Sequence, residues 1–306
     1  MTKWNLKLGY FHANERSQFF EENVIFVAQE IIRGFIMAEK NTFNLSSSAA
    51  DSYERQKVPA IFAPMAEATL DAISLPLRAS ILDVACGTGA VARAVGSRID
   101  EPSRITGADL NPAMIEVARQ NTPDGNHEYE FVVASADSMP FEDAKFDLLF
   151  CQHGLQFFPD KPAALTEMRR VMRKGGKLVL TCWAGIPPMF QVVQDVLGRH
   201  IGEAAASSAV APFVWNDSAH ISDLITEAGF DCSTPSALAV DRTMSASPEA
   251  MREEILATPN EPALRAAGDE VINRIVSEIS EGVAQYKEGQ KLCMPQTAHL
   301  FQARAA

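Results

Sequence analysis

The 306-residue sequence lacks any paired arrangement of cysteines. Its five cysteines are odd in number, and none belongs to a C-x-x-C pair. A zinc ribbon or a disulfide-framed secreted domain is therefore disfavoured, and free thiols in a reducing compartment are expected. The first residues lack the apolar core of a signal peptide, and no apolar run reaches the roughly 18 residues that span a membrane. These absences predict a cytoplasmic protein with no membrane partner.

Positive charge is also scarce. The chain has 27 Lys and Arg against 39 Asp and Glu, which gives a formal net charge of −12. The nearest approach to a basic stripe is Arg169, Arg170, Arg173 and Lys174, which we interpret as a solvated helix end whose cations suit the helix dipole. A nucleic-acid partner is not expected, because a polyphosphate would be repelled by the rest of the surface.

Strand-like and helix-like segments alternate from residue 50 onward, which predicts an α/β protein with a parallel sheet covered on both faces. A ligand should then lie beyond the carboxyl ends of the strands. The pattern also predicts a helix over residues 161–174, before a turn at Gly175 and Gly176. The predicted strands cover residues 80–85, 104–110, 129–136, 146–152, 177–183, 236–244 and 296–305, the last of them antiparallel.

Residues 1–48 are predicted to form a helical appendage to a domain over residues 49–306. Phe20, Val24, Val27, Ile31 and Phe35 recur at helical spacing and form a stripe too apolar to stand free in water. The appendage could pack on its own domain, join a homo-oligomer, or cover a ligand as a lid. Within the domain, helical insertions are expected near residues 187–216 and 248–290.

The stretch "ILDVACGTG" ends in two glycines at a predicted strand-to-helix turn. Gly87, Gly89 and the acid Asp109, twenty residues after Gly89, satisfy a dinucleotide-binding spacing, which leaves nicotinamide and other adenosine cofactors open. Asp83 is more informative, because a carboxylate inside an apolar strand end needs a cation or N–H donors. Asp137, after the third strand, could accept from an adenine amino group or simply begin a turn.

Several segments in order resemble class I S-adenosylmethionine-dependent methyltransferases, and more narrowly the small-molecule group that includes the ubiquinone/menaquinone C-methyltransferases. The resemblance covers about residues 50–306. It rests on "ILDVACGTG", "GADLNPAMIEVAR", "ASADSMPFEDAKFDLLFCQHGLQFFPD" and "EMRRVMRKGGKLVLTCW". It implies a Rossmann-like, doubly wound, mostly parallel seven-stranded sheet with a reversed last strand, and S-adenosylmethionine as the cofactor.

The resemblance also implies which residues contact the cofactor. These are Gly87 and Gly89 at the methionine part, Asp83 and Ala85 at its amino group, Asp109 at the ribose, Leu110, Ala136 and Asp137 at the adenine, Gln152 near the sulfonium, and Tyr53 on the helix that enters the domain. No metal ligands are expected. The N-terminal appendage lies outside the shared pattern, which leaves substrate entry and oligomeric state open.

Methyl transfer needs a base only when the nucleophile must lose a proton. His153 is the candidate base, with a packing role as the alternative. If the nucleophile is an electron-rich carbon, aromatic ring faces would instead stabilise the positive charge that develops on the acceptor. The candidates for that role are Tyr10, Phe19, Phe20, Phe157 and Trp183.

The sequence therefore predicts a methyltransferase for a lipophilic, aromatic or terpenoid-like small molecule, acting on carbon or oxygen in secondary metabolism. The alternatives are a non-catalytic S-adenosylmethionine-binding scaffold and a nicotinamide-dependent reductase.

Overall fold

The computed structural model describes residues 46–306. The predicted appendage over residues 1–48 lies almost entirely outside this range, as do three of its candidate substrate contacts, Tyr10, Phe19 and Phe20. Within the described range, none of the helices is long and apolar enough to cross a membrane.

Eleven α-helices and nine strands make up the described part of the chain. The helices are α1 (Ser47–Lys57), α2 (Ala63–Asp71), α3 (Ala90–Arg98), α4 (Pro112–Gln120), α5 (Lys161–Val171), α6 (Pro188–His200), α7 (Glu203–Val210), α8 (Ser218–Glu227), α9 (Pro248–Leu256), α10 (Glu261–Ala267) and α11 (Asp269–Gly282). The strands are β1 (Ser80–Val84), β2 (Arg104–Asp109), β3 (Glu128–Val133), β4 (Phe146–Gln152), β5 (Met172–Trp183), β6 (Phe230–Cys232), β7 (Ser236–Ser245), β8 (Lys287–Glu288) and β9 (Lys291–Ala305).

All nine strands form one sheet. Its main path has seven strands in the order β3-β2-β1-β4-β5-β9-β6. Strands β1 to β5 run parallel to one another, whereas β9 runs antiparallel to β5 and β6. The predicted fold class is therefore confirmed, including the reversed last strand.

Helices cover both faces of the sheet, because side chains alternate along each buried strand. Ile81 and Leu148 belong to an apolar cluster that includes residues of α2 and α3. Leu82 and Leu149 belong to a second cluster that includes residues of α5 and α8. The carboxyl ends of β1, β2 and β4 consequently meet at one edge of a rigid sheet.

The predicted helix over residues 161–174 is too long. The helix ends at Val171 because Met172 adopts an extended conformation and begins β5. The expected turn at Gly175 and Gly176 therefore lies inside that strand. Two arginines of this basic run form surface ion pairs, Arg170 with Asp143 and Glu167, and Arg173 with Asp147.

Strands β7 and β9 extend past the carboxyl end of β5. The last residue of β5, Trp183, lies opposite Ala298, and β9 continues from there back to Lys291 alongside β7. Helices α6, α9, α10 and α11 pack together in a third apolar cluster that includes Leu292 and Met294 of β9. The two predicted helical regions thus join the strand extension beside the carboxyl edge of the sheet.

Candidate active site

The loop after β1 brings backbone to the carboxyl edge of the sheet. Gly87 and Gly89 have positive φ angles of 54° and 86°, which favour glycine, and α3 begins at Ala90 directly after them. Ala85 also has a positive φ of 57°. The amino-terminal end of α3 therefore faces this edge, where an anionic group can accept from its N–H groups.

Asp83 is the least solvated acid of the site. Asp83 is 1% exposed, and no hydrogen bond of ordinary geometry reaches either carboxylate oxygen within residues 46–306, although the backbone N–H of Ala92 at the start of α3 acts on it and lowers its pKa. Burial, together with the charge of Asp109, raises the pKa of Asp83 well above its ordinary value. A buried and unpartnered carboxylate costs folding free energy, so a cationic or N–H-rich ligand would relieve this cost.

Asp109 holds the glycine loop in place. Its two carboxylate oxygens accept from the backbone N–H groups of Gly87, at 2.8 Å, and of Asn111, at 2.9 Å. Burial raises the pKa of Asp109, and these backbone donors partly oppose that effect. Each carboxylate oxygen keeps a second lone pair with which to accept from a ligand hydroxyl.

Tyr53 on α1 covers the glycine loop. A Cβ atom placed on Gly87 would lie 3.9 Å from the Tyr53 ring and hydroxyl oxygen. Burial and the acids Asp109, Glu54 and Asp83 raise the pKa of Tyr53, so the phenol stays protonated. Arg93 of α3 pairs with Glu54 at 2.7 Å and fixes α1 against the loop.

A π-helical turn over Val58–Phe62 connects α1 to α2. Pro59 in this turn has no backbone N–H to donate. The backbone N–H of Val58 donates to the carbonyl of Tyr53, and that of Ala63 donates to the carbonyl of Val58, so each of these hydrogen bonds spans five residues. The wider turn places Phe62 in a stack with Tyr53, with ring centroids 5.2 Å apart. The side-chain amide of Gln152, at the end of β4, donates to the Phe62 carbonyl at 3.0 Å.

His153 follows Gln152 with a positive φ of 53° and is 4% exposed. Its ring stacks on Trp183 with centroids 4.0 Å apart, and neither ring nitrogen has a partner within the described residues. Burial lowers the pKa of His153 to about 3. The imidazole is therefore neutral near pH 7 and offers one donor and one acceptor nitrogen.

The structure brings together most of the sequence-predicted site residues. Contacts link Tyr53, Gly87 and Asp109, and a second set links Gln152, His153 and Trp183 through Phe62. Asp83 lies opposite Gly107 on the neighbouring parallel strand, and Asp109 follows two residues later on the same face, so these two acids lie near each other.

The predicted residues Leu110, Ala136, Asp137 and Phe157 belong to neither of these two sets. Leu110 is 60% exposed, Phe157 is partly exposed, and Ala136 is half-buried. Asp137 is exposed and accepts from the Ser135 hydroxyl at 2.6 Å in a tight turn. Their predicted roles remain predictions.

The sequence interpretation missed several residues that extend the site. Beyond Trp183, a chain of ring contacts continues through Phe213 and Phe190 to the guanidinium of Arg242. The sequence could have indicated Arg242, because Leu238, Val240 and Met244 alternate with small or polar residues along one strand and Arg242 occupies the same register as these apolar residues. A cation in an otherwise apolar register marks a buried charge.

The cysteines near the site have the chemistry of buried thiols. Cys86, Cys151 and Cys182 are buried and unpaired. Burial raises the pKa of each thiol, for Cys151 to about 12, so their thiolates are scarce at neutral pH. Within residues 46–306, no three His, Cys, Asp or Glu side chains are grouped to hold a metal ion.

A family profile described as a methyltransferase domain matches residues 82–180, from β1 to β5. A ubiquinone/menaquinone biosynthesis C-methyltransferase UbiE of Hahella chejuensis is 36% identical over 114 residues, which cover 37% of this chain and 46% of that protein. The UbiE of Laribacter hongkongensis is 30% identical over 161 residues, covering 49% of this chain and 66% of that protein. The chain thus spans about half the length of the first relative and slightly less than two thirds of the second.

One solved structure illustrates the shared fold. Phosphoethanolamine N-methyltransferase 2 of Haemonchus contortus, in complex with phosphomonomethylethanolamine and S-adenosylhomocysteine, superposes with a TM-score of 0.50 and 19% identity. The superposition covers 85% of this chain and 57% of that chain. At this identity the likeness supports the fold alone.

Proposed function

We propose that this chain is a class I S-adenosylmethionine-dependent methyltransferase that transfers a methyl group to a lipophilic aromatic small molecule, because residues 82–180 match a methyltransferase-domain profile and the chain is similar to the UbiE relatives. The observation that carries the proposal is Asp83, whose two buried carboxylate oxygens have no partner within the described residues. The cationic amino group of S-adenosylmethionine matches them in charge and in hydrogen-bonding type. A pyrophosphate at the same position would be repelled.

The methionine and ribose parts of the cofactor have matching groups on this chain. The N–H groups at the start of α3 suit the methionine carboxylate, and Asp83 suits the amino group. Asp109 can accept from the ribose hydroxyls while it holds the loop at Gly87. Tyr53 covers the loop from α1 and can exclude water.

When bound, S-adenosylmethionine supplies a methyl group whose leaving group is a neutral thioether, so no leaving-group acid is required. The protein must hold the acceptor in line with that methyl group, and orientation can contribute on the order of 7–11 kcal/mol. The rings of His153 and Trp183 stack on each other at the ends of β4 and β5 and form an aromatic wall. A planar acceptor can be oriented against the face of this stack.

We favour a carbon acceptor, because both UbiE relatives are named as C-methyltransferases. Attack by an electron-rich ring carbon can precede proton loss, and the aromatic wall would stabilise the developing positive charge. His153, which is neutral at pH 7, would then orient the acceptor through a hydrogen bond. For an oxygen acceptor it would instead have to take a proton, and its depressed pKa makes it a weak base for that step.

Replacement of His153 tests this preference. In His153→Gln, turnover should fall less than about tenfold for a carbon acceptor, since only positioning is lost. A loss of two or more orders of magnitude, with a pH–rate profile that loses its acidic limb, would instead favour oxygen methylation with His153 as the base.

Calorimetry with S-adenosylhomocysteine tests the cofactor assignment. We expect binding in the micromolar range and no change in NADPH fluorescence on mixing. Fluorescence changes with NADPH, together with no heat from S-adenosylhomocysteine, would favour a nicotinamide-dependent reductase. Binding without any methylated product would favour a non-catalytic scaffold. A role in secondary metabolism, a cytoplasmic location and a homo-oligomer formed through residues 1–48 are further parts of this proposal.

A further inference from the structure

A continuous row of rings runs from His153 to a buried guanidinium. His153 stacks on Trp183 at 4.0 Å, Trp183 lies 5.4 Å from Phe213, and Phe213 lies 4.6 Å from Phe190, measured between ring centroids. The guanidinium carbon of Arg242 lies 5.7 Å from the Phe190 centroid. We call Trp183, Phe213 and Phe190 the aromatic row.

The charge at the far end of this row is not balanced. Arg242 is 2% exposed, and its Nη2 pairs with Glu254 of α9 at 2.7 Å. The same Glu254 oxygen also pairs with Lys57, at the end of α1. Two cations therefore share one anion in a largely buried cluster. Burial lowers the pKa of Lys57 and Glu254 opposes that shift; with Lys57 protonated, the cluster has one positive charge in excess.

Arg242 also has unused donors. Its Nε and Nη1 are buried and have no hydrogen-bond partner within residues 46–306. Buried N–H groups are nearly always paired in folded proteins, because an unpaired one loses its hydration without compensation. A cation that served packing alone would be expected to use these donors, so they point to a ligand that accepts hydrogen bonds.

Strand register places a second unpartnered group, Gln296, on the same face as Arg242 and diagonally across from it, opposite Val240. Trp183 and Leu238 both lie opposite Ala298, so they share its face of the sheet. Residues two apart on a strand point to the same face, which puts Gln296 and Arg242 there as well. Gln296 is 2% exposed, and its Oε1 has no partner in the described part of the chain.

We propose that Arg242 binds a carboxylate on the methyl acceptor, whose aromatic body lies along the aromatic row. One carboxylate oxygen accepts from Nη1, and the negative charge balances the excess positive charge of the Lys57–Glu254–Arg242 cluster. The Oε1 of Gln296 accepts from an O–H or N–H group elsewhere on the acceptor molecule. The ring contacts lead from the carboxylate end to His153, where the acceptor meets the methyl group. The inference rests on the proposed function and narrows its acceptor to an aromatic acid.

The experiment compares two probes of the same shape, 1-naphthoate and the uncharged 1-naphthamide. Each is titrated by calorimetry into the full chain saturated with S-adenosylhomocysteine. We expect the wild type to bind 1-naphthoate about tenfold or more tightly than 1-naphthamide, because a charged hydrogen-bonded pair discriminates by about that factor. In Arg242→Gln, this preference should disappear through weaker binding of 1-naphthoate, while S-adenosylhomocysteine affinity stays unchanged.

Two further variants separate ligand binding from a structural role. Glu254→Gln removes the only anion of the cluster, so we expect 1-naphthoate to bind as tightly as, or more tightly than, in the wild type. Loss of its binding in both Arg242→Gln and Glu254→Gln would overturn the proposal, as would equal or absent binding of the two probes to the wild type. Arg252→Gln, a more exposed arginine on the same helix as Glu254, should leave the preference intact. Failure of S-adenosylhomocysteine to bind would refute the proposed function instead, and calorimetry reads that step separately.

Discussion

At the end of β1, Asp83 has a buried carboxylate without a hydrogen-bond partner among the described residues, and Asp109 at the end of β2 lies close enough to raise its pKa. Packing alone does not require an acid at either position. The sequence could reveal both acids, because each follows an apolar strand and stands at a fixed distance from the glycines. It could not reveal that Asp109 also fixes Gly87, since this contact depends on the loop conformation.

Replacement of Asp109 by alanine should nearly abolish S-adenosylhomocysteine binding. The change removes the acceptor proposed for the ribose and leaves the N–H groups of Gly87 and Asn111 without their partner. We expect a loss of at least a hundredfold in affinity by calorimetry. Asp124→Ala, which removes an exposed acid after α4, is the matched control. Wild-type affinity in Asp109→Ala would contradict the assignment.

Replacement of Asp83 by asparagine should change both the affinity and its pH dependence. The bound amino group favours the charged form of Asp83, so binding below its raised pKa releases a proton. In the wild type, affinity should therefore rise with pH until that pKa is passed, and then level off. Asp83→Asn should bind more weakly by about 1.5–3 kcal/mol, or roughly tenfold or more.

Calorimetry in two buffers of different ionisation enthalpy detects the released proton. The wild type should show a buffer-dependent heat at low pH, and Asp83→Asn should show none from this group. A buffer-dependent heat of the same size in both proteins would mean that another group titrates on binding.

At the scale of elements, the sequence predicted the parallel strands well and the far end of the sheet less well. β4 matches its predicted range of residues 146–152, because its apolar run is bounded by polar residues on both sides. The extension of β9 to Lys291 was missed, since residues 291–295 include Pro295 and lack a strong alternation. β7 was recognised as a strand, but its pairing with this extension depends on tertiary packing.

Gly107 in β2 is packed too closely against its neighbours to accommodate a larger side chain. A Cβ atom there would lie 2.6 Å from a ring carbon of Phe131 and 2.8 Å from the Cys86 sulfur. We expect Gly107→Ala to lower the free energy of unfolding by about 1–3 kcal/mol, because buried space is overfilled. Urea denaturation measures this change. Gly125→Ala, where nothing lies within 4 Å, should change stability far less, and equal losses in both variants would contradict the packing described.

At the scale of the whole molecule, one buried acid joins three separate elements. Glu254 of α9 pairs with Lys57 of α1 and Arg242 of β7. Burial alone would raise the pKa of Glu254, but Arg242 and Lys57 outweigh it and lower the pKa to about 2. The cluster connects the helix that covers the glycine loop with the strand extension beside the aromatic row. Sequence alone could not predict it, because its members are up to 197 residues apart.

Glu254→Ala should lower the free energy of unfolding by about 3–5 kcal/mol, because it leaves two buried cations without their anion. Its neighbour Glu253 is exposed, so Glu253→Ala should cost less than about 0.5 kcal/mol. A folded-state pKa below the ordinary value of 4.5 gives stabilisation that is present above pH 4.5 and lost as the pH falls towards 2. The difference between the wild type and Glu254→Ala should narrow over that interval, and a constant difference would refute the assignment.

The overall charge of −12 sets the type of partner that the whole chain favours. An acidic surface disfavours polyphosphates, and the positive charge of the Lys57–Glu254–Arg242 cluster is buried, so it cannot attract a polyphosphate to the surface. A small molecule remains the acceptor that best suits both features.

The central claim, that this chain methylates a small molecule, is tested most directly with methyl-labelled S-adenosylmethionine and a metabolite extract of the producing cells. Mass spectrometry should show one low-molecular-mass compound that gains the labelled methyl group with the wild type and not with Asp109→Ala. An extract in which no compound gains the label, although the wild type binds S-adenosylhomocysteine, would contradict the claim.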